Sequence, residues 1–140
     1  MQQLDILLPL TALVIWTLLV FALIPVRRLR AIAAGRVGVD EFRLGESDKV
    51  PHDVSLPNRN IINLFQMPVL FYLACIVLYI TQLHDTWFIN LAWAYVVFRV
   101  IHSIIHVSYN KVRHRFLAFA VSNFILVAIW IRLVWTIADQ

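Results

Sequence analysis

The sequence has a single cysteine, Cys75, among its 140 residues. One cysteine cannot form an intramolecular disulfide, and it cannot supply a cysteine-based zinc cluster. Because Cys75 lies in a long apolar run, we interpret it as a buried, unreactive thiol rather than a nucleophile.

Charged residues are also scarce: Asp, Glu, Lys and Arg make up 14% of the chain, whereas 61% of it is hydrophobic. A typical soluble domain carries about 25% charged residues, so this composition excludes an ordinary soluble protein. A bilayer core is crossed by about 20 apolar residues in an α-helix, and four runs of the sequence reach or nearly reach this length. The predicted helices cover approximately residues 5–30, 59–83, 86–110 and 115–138. We predict an all-α membrane protein, a bundle of four transmembrane helices forming a single domain over residues 1–140.

Basic residues are distributed unevenly among the connections between these helices. Seven of the twelve Lys and Arg residues lie between the first and second helices, and three lie between the third and fourth. By the positive-inside rule, these two connections face the cytoplasm and both termini face outward. We expect an integral protein of a bacterial inner membrane whose loops attract anionic lipids. Since this asymmetry explains the basic character and no nucleic-acid-binding module is present, no nucleic-acid partner is expected.

The cytoplasmic loop over residues 31–58 is the longest predicted connection. It is too polar to form a core of its own and contains Pro51 and Pro57. We expect a short amphipathic extension of the first helix, followed by an irregular segment. Pro57 and Asn58 are expected to end that segment just before the second helix.

Two polar stripes interrupt the apolar helices. Residues at intervals of three or four share one face of a helix. The stripe on the third helix consists of Arg99, His102, His106, Tyr109 and Arg113. The stripe on the second helix consists of Arg59, Asn63 and Gln66. Because both stripes lie toward the cytoplasmic ends of their helices, we expect them to meet near the inner membrane surface.

Arg99 is the residue whose position most needs an explanation. A charged side chain at membrane depth costs roughly 2.5–3.5 kcal/mol on insertion scales, so Arg99 is expected to face a partner or water. One interpretation is a wet, anion-binding recess, because guanidinium groups bind carboxylates bidentately. The alternative is structural: Arg99 bonds helix-end carbonyls or Gln66 and holds the bundle or an oligomer together.

The kind of chemistry is limited by where the acids lie. None of the eight Asp and Glu residues falls within a predicted helix core, so acid–base catalysis by carboxylates is not expected. His102 and His106 are separated as two metal ligands could be, but without a nearby acid or thiolate no metal site is predicted. Any reaction would therefore depend on positioning and on arginine electrostatics, such as a lowered pKa of a bound thiol.

The start of the second helix, "RNIINLFQMPVLF", resembles a motif of the MAPEG superfamily, the membrane-associated proteins in eicosanoid and glutathione metabolism. The family pattern is Arg-x-x-x-Asn-x-x-Glu followed by a proline and an aromatic residue. The matching residues are Arg59, Asn63, Pro68 and Phe71, with the proline one position early. In the third helix, "RVIHSIIH" is similar to the family's Arg-x-x-His-x-x-x-Tyr, matched by Arg99 and His102. Arg115 lies where many members have an arginine near the thiol of glutathione.

The resemblance implies a homotrimer that binds glutathione as co-substrate in a cytoplasm-facing cleft between subunits. It implies that the protein transfers the thiol to lipophilic electrophiles or reduces lipophilic hydroperoxides, as a glutathione S-transferase or peroxidase does. The residues implied to contact glutathione are Arg59, Asn63, Arg99 and His102. Arg115 would stabilise the thiolate, and either Arg27 or Arg28 would hold a carboxylate. The implied partners are further copies of the chain, membrane lipids and lipophilic small molecules.

Two positions depart from the family pattern. Gln66 replaces the glutamate expected to pair with the amino group of glutathione, and His106 occupies the tyrosine position. Tyr109, one turn further along, is a candidate for the missing hydroxyl. These departures leave open a protein of the same fold that binds lipid or acts as a scaffold without catalysis. A proton-linked transporter using His102 and His106 is less favoured, because no acid lies within the membrane to relay protons.

Overall fold

The computed structural model describes residues 3–139 as helices joined by short connections, and this range contains no β-strand. The five α-helices are α1 (Leu7–Ala33), α2 (His52–Leu64), α3 (Met67–Thr81), α4 (Thr86–Val107) and α5 (Val112–Ala138). Short 3-10 helices lie at Gln3–Ile6 and Val39–Phe42. Because α2 and α3 form one membrane-length unit, the described residues contain four helices long and apolar enough to cross a bilayer. The all-α, four-span fold class predicted from composition is thus confirmed.

The bundle is held together by apolar side chains from all four spans. Its buried centre includes Leu13, Phe71, Leu78, Phe88 and Leu126. The ring of Phe71 stacks on that of Tyr95, with 4.4 Å between their centroids. On the outer faces, many large apolar side chains are exposed, among them Leu18, Ile80, Phe124 and Ile131. Exposed apolar surface on this scale is what a bilayer or a partner subunit would cover.

The α4–α5 pair forms the largest contact between elements and carries most of the site described below. At the end of the bundle away from the basic loops, Asp85 caps α4 by accepting a hydrogen bond from the Phe88 amide at 3.0 Å. The same carboxylate forms an ion pair with Arg132 of α5. The Arg132 guanidinium lies over the Trp87 ring, 4.4 Å from its centroid. These contacts fix α5 against the start of α4.

The first basic connection, between α1 and α2, is more ordered than predicted. Helix α1 continues past residue 30 to Ala33, in line with the expected extension of the first helix. Helix α2, in contrast, begins at His52 rather than at residue 59. Between them, a small cluster of Ala31, Val37, Val50 and Val54 is buried. The connection therefore lacks a core of its own but shares one with α1 and α2.

Ion pairs hold the polar side of this connection. Arg28 pairs with Glu46 at 2.9 Å, and Lys49 pairs with Glu41 at 3.3 Å. The hydrogen bond from the Ser47 hydroxyl, assisted by Lys49, holds the pKa of the Glu41 carboxyl below its usual range. The Arg28–Glu46 pair is partly buried, whereas the Lys49–Glu41 pair is open to solvent on its lysine side. Both pairs order the loop, and the solvent-exposed one contributes little to stability.

Pro57 was expected to end the loop, but it lies inside α2. A proline in a helix interior removes the hydrogen bond to the carbonyl four residues earlier, which here is that of Asp53. The Arg27 guanidinium supplies the missing donor, with 2.7 Å between Nη1 and the Asp53 carbonyl oxygen. Its Nη2 also donates to the carbonyl of Val107, the last residue of α4, at 2.8 Å. Arg27 thus satisfies two free carbonyls and joins α1, α2 and α4.

This role of Arg27 predicts a specific double-mutant result. Arg27→Ala should lower the free energy of unfolding by roughly 2–3 kcal/mol, because two carbonyls lose a charged donor. The loss should be about 1 kcal/mol smaller in a Pro57→Ala background, where residue 57 regains an N–H for the Asp53 carbonyl. Denaturation of the detergent-solubilised protein measures both values.

Arg30→Ala is the matched control, since Arg30 is exposed in the last turn of α1. It should change stability by no more than about 0.5 kcal/mol. An equal cost of Arg27→Ala in both backgrounds would show that the arginine does not compensate for the proline.

The second span is interrupted at Phe65 and Gln66, although its sequence reads as one apolar run. Helix α2 ends at Leu64, the residue whose carbonyl would clash with the ring of Pro68 if the helix continued. Pro68 instead lies in the first turn of α3, where its missing N–H needs no partner. The proline therefore divides the span into two helices at Gln66.

Candidate functional site

Helix α4 presents a buried polar face to α2 and α5. Four side chains spaced along one face of the helix form it, and each is at most 4% exposed. They are Arg99, His102, Ser103 and His106. The stripe predicted on this helix is therefore real as far as His106, and it faces protein.

Arg99 is completely enclosed, with no exposed surface in the single chain. Its Nε donates to the Tyr95 hydroxyl at 3.1 Å, and its Nη2 donates to Asn123 Oδ1 of α5 at 2.5 Å. Its Cζ lies 5.1 Å from the centroid of the Phe119 ring. Nη1 has no hydrogen-bond partner among the described residues. Arg99 thus meets side chains of α4 and α5, and not the helix-end carbonyls or Gln66 considered from the sequence.

His102 connects the polar face to the start of α5. Its Nδ1 lies 3.1 Å from the Arg115 carbonyl oxygen. Because a carbonyl only accepts hydrogen bonds, this contact assigns the proton to Nδ1 and leaves Nε2 as an acceptor. Within residues 3–139, Nε2 is buried and has no hydrogen-bond partner, and the same holds for Nδ1 of His106. The two ring centroids are 5.8 Å apart. Two imidazoles therefore bring unused hydrogen-bonding capacity to one place.

A recess of about 230 Å³ lies beside these imidazoles. Its lining residues are Asn63 of α2, His102 and His106 of α4, and Val112, Arg115, Phe116 and Phe119 of α5. It lies at the end of the bundle that carries the basic connections. The lining combines one guanidinium, two imidazoles and an amide with apolar and aromatic surface, which suits an anionic ligand with an apolar part.

Arg115 supplies the positive charge of this recess, and hydrogen bonds to Asn110 and His102 restrain it. Its Nη1 donates to Asn110 Oδ1 at 2.5 Å, while its own carbonyl receives the hydrogen bond from His102. Both ends of the residue are therefore fixed within the α4–α5 connection. A fixed guanidinium beside a recess can stabilise negative charge without reorganising.

Of the site residues predicted from the sequence, the structure brings Asn63, His102, His106 and Arg115 together. The others lie outside the recess of the single chain. Arg59 and Gln66 are exposed, and the Arg59 carbonyl accepts a hydrogen bond from Asn63 Nδ2 at 3.0 Å.

The predicted stripe does not extend to Tyr109 and Arg113. Helix α4 ends at Val107, so the helical spacing no longer applies beyond it. Tyr109 is 55% exposed, and its hydroxyl lies 3.2 Å from Nδ1 of His114. Arg113 is an exposed residue in the first turn of α5.

Three residues of the site were missed from the sequence: Asn123, which binds Arg99; Asn60, which hydrogen-bonds Ser103 of α4; and Asn110. The sequence could have identified Asn123, because it is an isolated amide in the long apolar run of the fourth span. Buried amides in such runs need a partner on another helix. Asn110 gave no comparable signal, since asparagine is common in turns.

Within residues 3–139, no three His, Cys, Asp or Glu side chains lie close enough together to hold a metal ion. The group at the recess that suits an organic anion is the Arg115 guanidinium.

In the comparison with protein families, the MAPEG family model matches residues 6–135. No curated protein and no solved structure matches the chain. The matched region contains the second and third spans, nearly all of the first and fourth, the polar face of α4 and every residue that lines the recess. The protein is an integral membrane protein that belongs to the MAPEG family.

Proposed function

We propose that the protein binds glutathione or a related anionic thiol in the recess beside Arg115. It would transfer the thiol to lipophilic electrophiles from the bilayer or use it to reduce lipophilic hydroperoxides. Membership of the MAPEG family supports glutathione-related or eicosanoid metabolism as the general area. The observation that carries the proposal is the convergence of Asn63, His102, His106 and Arg115 on one recess.

Arg115 has the central role in this proposal. A guanidinium favours the thiolate over the thiol and so lowers the pKa of a bound thiol. The S–H proton passes to water at the membrane edge, and the thiolate remains beside Arg115. The thiolate sulfur then bonds to the electrophile, whose leaving group departs with the electron pair. No carboxylate is required for any of these steps.

We further propose that the protein is a homotrimer, with its basic loops in the cytoplasm of a bacterial cell and its termini outside. Arg59 and Gln66 are exposed on the single chain, which leaves them available to a neighbouring copy. A recess of about 230 Å³ is small for a tripeptide and an electrophile together. A site completed by a second protomer would provide the additional volume and polar groups.

The test uses the full-length protein in detergent or nanodiscs. Titration calorimetry with glutathione should give saturable binding, and an aryl halide should be conjugated faster than without protein. Reduction of a fatty-acid hydroperoxide by glutathione measures the second activity. Absence of both binding and turnover in a folded preparation would refute the proposal.

A second candidate function is binding of an anionic lipid without catalysis, and two observations favour it. The recess has a single guanidinium beside Phe116 and Phe119, which suits a ligand with one acidic group and an acyl chain. Gln66 also lacks the charge that would pair with the amino group of glutathione.

Gln66→Glu separates the two functions. In a glutathione site completed between protomers, the new carboxylate should pair with the ligand's amino group and increase glutathione affinity several-fold, by roughly 1 kcal/mol. In a lipid site it should leave glutathione binding negligible. Calorimetry on both proteins provides the comparison, with Asn90→Asp on the exposed part of α4 as a control for an added negative charge.

A further inference from the structure

Asn110 has an unusual backbone conformation in the α4–α5 connection. Its φ is 49°, in the left-handed region that residues other than glycine and asparagine rarely adopt. In this conformation the backbone N–H of Asn110 donates to the Ile105 carbonyl at 2.8 Å. This hydrogen bond closes the C-terminal end of α4. Glycine would meet this backbone requirement better than asparagine does. The turn alone therefore does not explain why residue 110 has a side chain.

The side chain of Asn110 is directed to Arg115. Its Oδ1 accepts a hydrogen bond from Nη1 of that arginine at 2.5 Å. The left-handed backbone that ends α4 thus places an amide oxygen against the guanidinium that lines the recess. His102 holds the carbonyl of the same arginine. Arg115 is consequently restrained at both its guanidinium and its backbone.

We propose that Asn110 is a positioning residue that directs the Arg115 guanidinium toward the sulfur of the bound thiol. This inference rests on the proposed function and adds a specific determinant to it. An amide oxygen orients a guanidinium without cancelling its charge, whereas a carboxylate at the same place would form an ion pair with it. The neutral acceptor leaves the full positive charge of Arg115 available to the thiolate.

Two variants separate this role from the turn. Asn110→Gly keeps the left-handed backbone and removes the side-chain amide. The fold should therefore be as stable as the wild type or more stable. Asn110→Asp keeps an acceptor oxygen and introduces a negative charge next to Arg115. Thiol transfer to an aryl halide is measured at varied glutathione concentration across pH, which gives kcat and KM. The ultraviolet absorbance of the bound thiolate and thermal unfolding in detergent are measured beside it.

The expected result for Asn110→Gly is a kcat lowered on the order of 10-fold to 100-fold, with a smaller change in the KM for glutathione. Asn110→Asp should raise the pKa of the bound thiol, because its carboxylate offsets the charge that stabilises the thiolate. Its activity should therefore approach that of the wild type only at higher pH.

The outcomes distinguish a failure of the proposed function from a failure of the role of Asn110. If the wild type neither binds glutathione nor conjugates it, the proposed function fails. If the wild type is active and Arg115→Ala is impaired, but Asn110→Gly matches the wild type in kcat and thiol pKa, Asn110 serves the turn alone and this inference is wrong. Unchanged unfolding of Asn110→Gly together with a lower kcat would support it.

Discussion

Replacing Arg115 by alanine is expected to lower the rate of thiol transfer by about 10²-fold while the protein stays folded. Arg115 is the only guanidinium among the residues that line the recess, and its side chain is fixed by Asn110. Removing it takes away the positive charge that would stabilise a thiolate there. The initial rate of conjugation to an aryl halide, measured with the detergent-solubilised protein, gives the comparison.

The pH dependence of this variant has a definite sign. A nearby guanidinium lowers the pKa of a thiol, so its loss raises that pKa. Activity of Arg115→Ala should therefore rise with pH over a higher range than activity of the wild type. Part of the lost rate should be recovered in alkaline buffer.

Arg113→Ala is the matched control for this experiment. Arg113 lies in the same first turn of α5 but is exposed and does not line the recess. Its removal changes the net charge by the same amount and should leave the rate within a factor of about two, as expected for a surface substitution. Equal losses in both variants would show that general charge at the membrane edge, and not Arg115, supports the reaction.

Asn123→Leu is expected to destabilise the protein by at least about 3 kcal/mol. Arg99 is wholly enclosed, and Asn123 accepts one of its hydrogen bonds at 2.5 Å. Leucine has a similar volume but no acceptor, so a buried charged donor would lose its partner on α5. Leaving one member of such a pair unsatisfied costs far more than removing both.

The double variant Arg99→Met/Asn123→Leu should accordingly be more stable than Asn123→Leu alone. Denaturation in mixed detergent micelles measures this order, and Asn90→Leu on the exposed part of α4 controls for the change of side chain. Similar instability of the single and double variants would contradict a buried pair.

Glutathione binding by the same double variant separates packing from ligand binding at Arg99. The guanidinium is enclosed by Tyr95, Phe119 and Asn123 in the single chain, so binding is expected to persist. Loss of binding by a stable double variant would assign Arg99 a direct role in the ligand site of the assembled protein.

The helices were the most predictable part of the structure. Uncharged runs of membrane length left few alternatives, and the basic residues marked the connections between them. The boundaries near prolines were less predictable. Pro57 lies within α2 because Arg27, distant in sequence, supplies a donor to the Asp53 carbonyl. The residues around Pro57 in the sequence do not indicate such a donor.

The positions of site residues on one regular helix, α4, could be predicted from the sequence. The positions of residues in the connection between α4 and α5 could not. His102 and His106 share a face with Arg99 because α4 is regular over that range. Tyr109 and Arg113 were assigned to the same stripe, but α4 ends at Val107. The acceptor for Arg99 was not identified because Asn123 is on another helix, and helix spacing does not show which residues of two helices face each other.

The Arg99–Asn123 contact also affects how the protein is made. Asn123 is 24 residues downstream of Arg99, so α4 leaves the ribosome before its polar acceptor has been delivered to the membrane. In a lone α4 the Arg99 guanidinium would keep the Tyr95 hydroxyl as a partner but lack the acceptor on α5, at a cost in lipid. This cost favours insertion of α4 and α5 together, as a hairpin, over insertion of α4 alone.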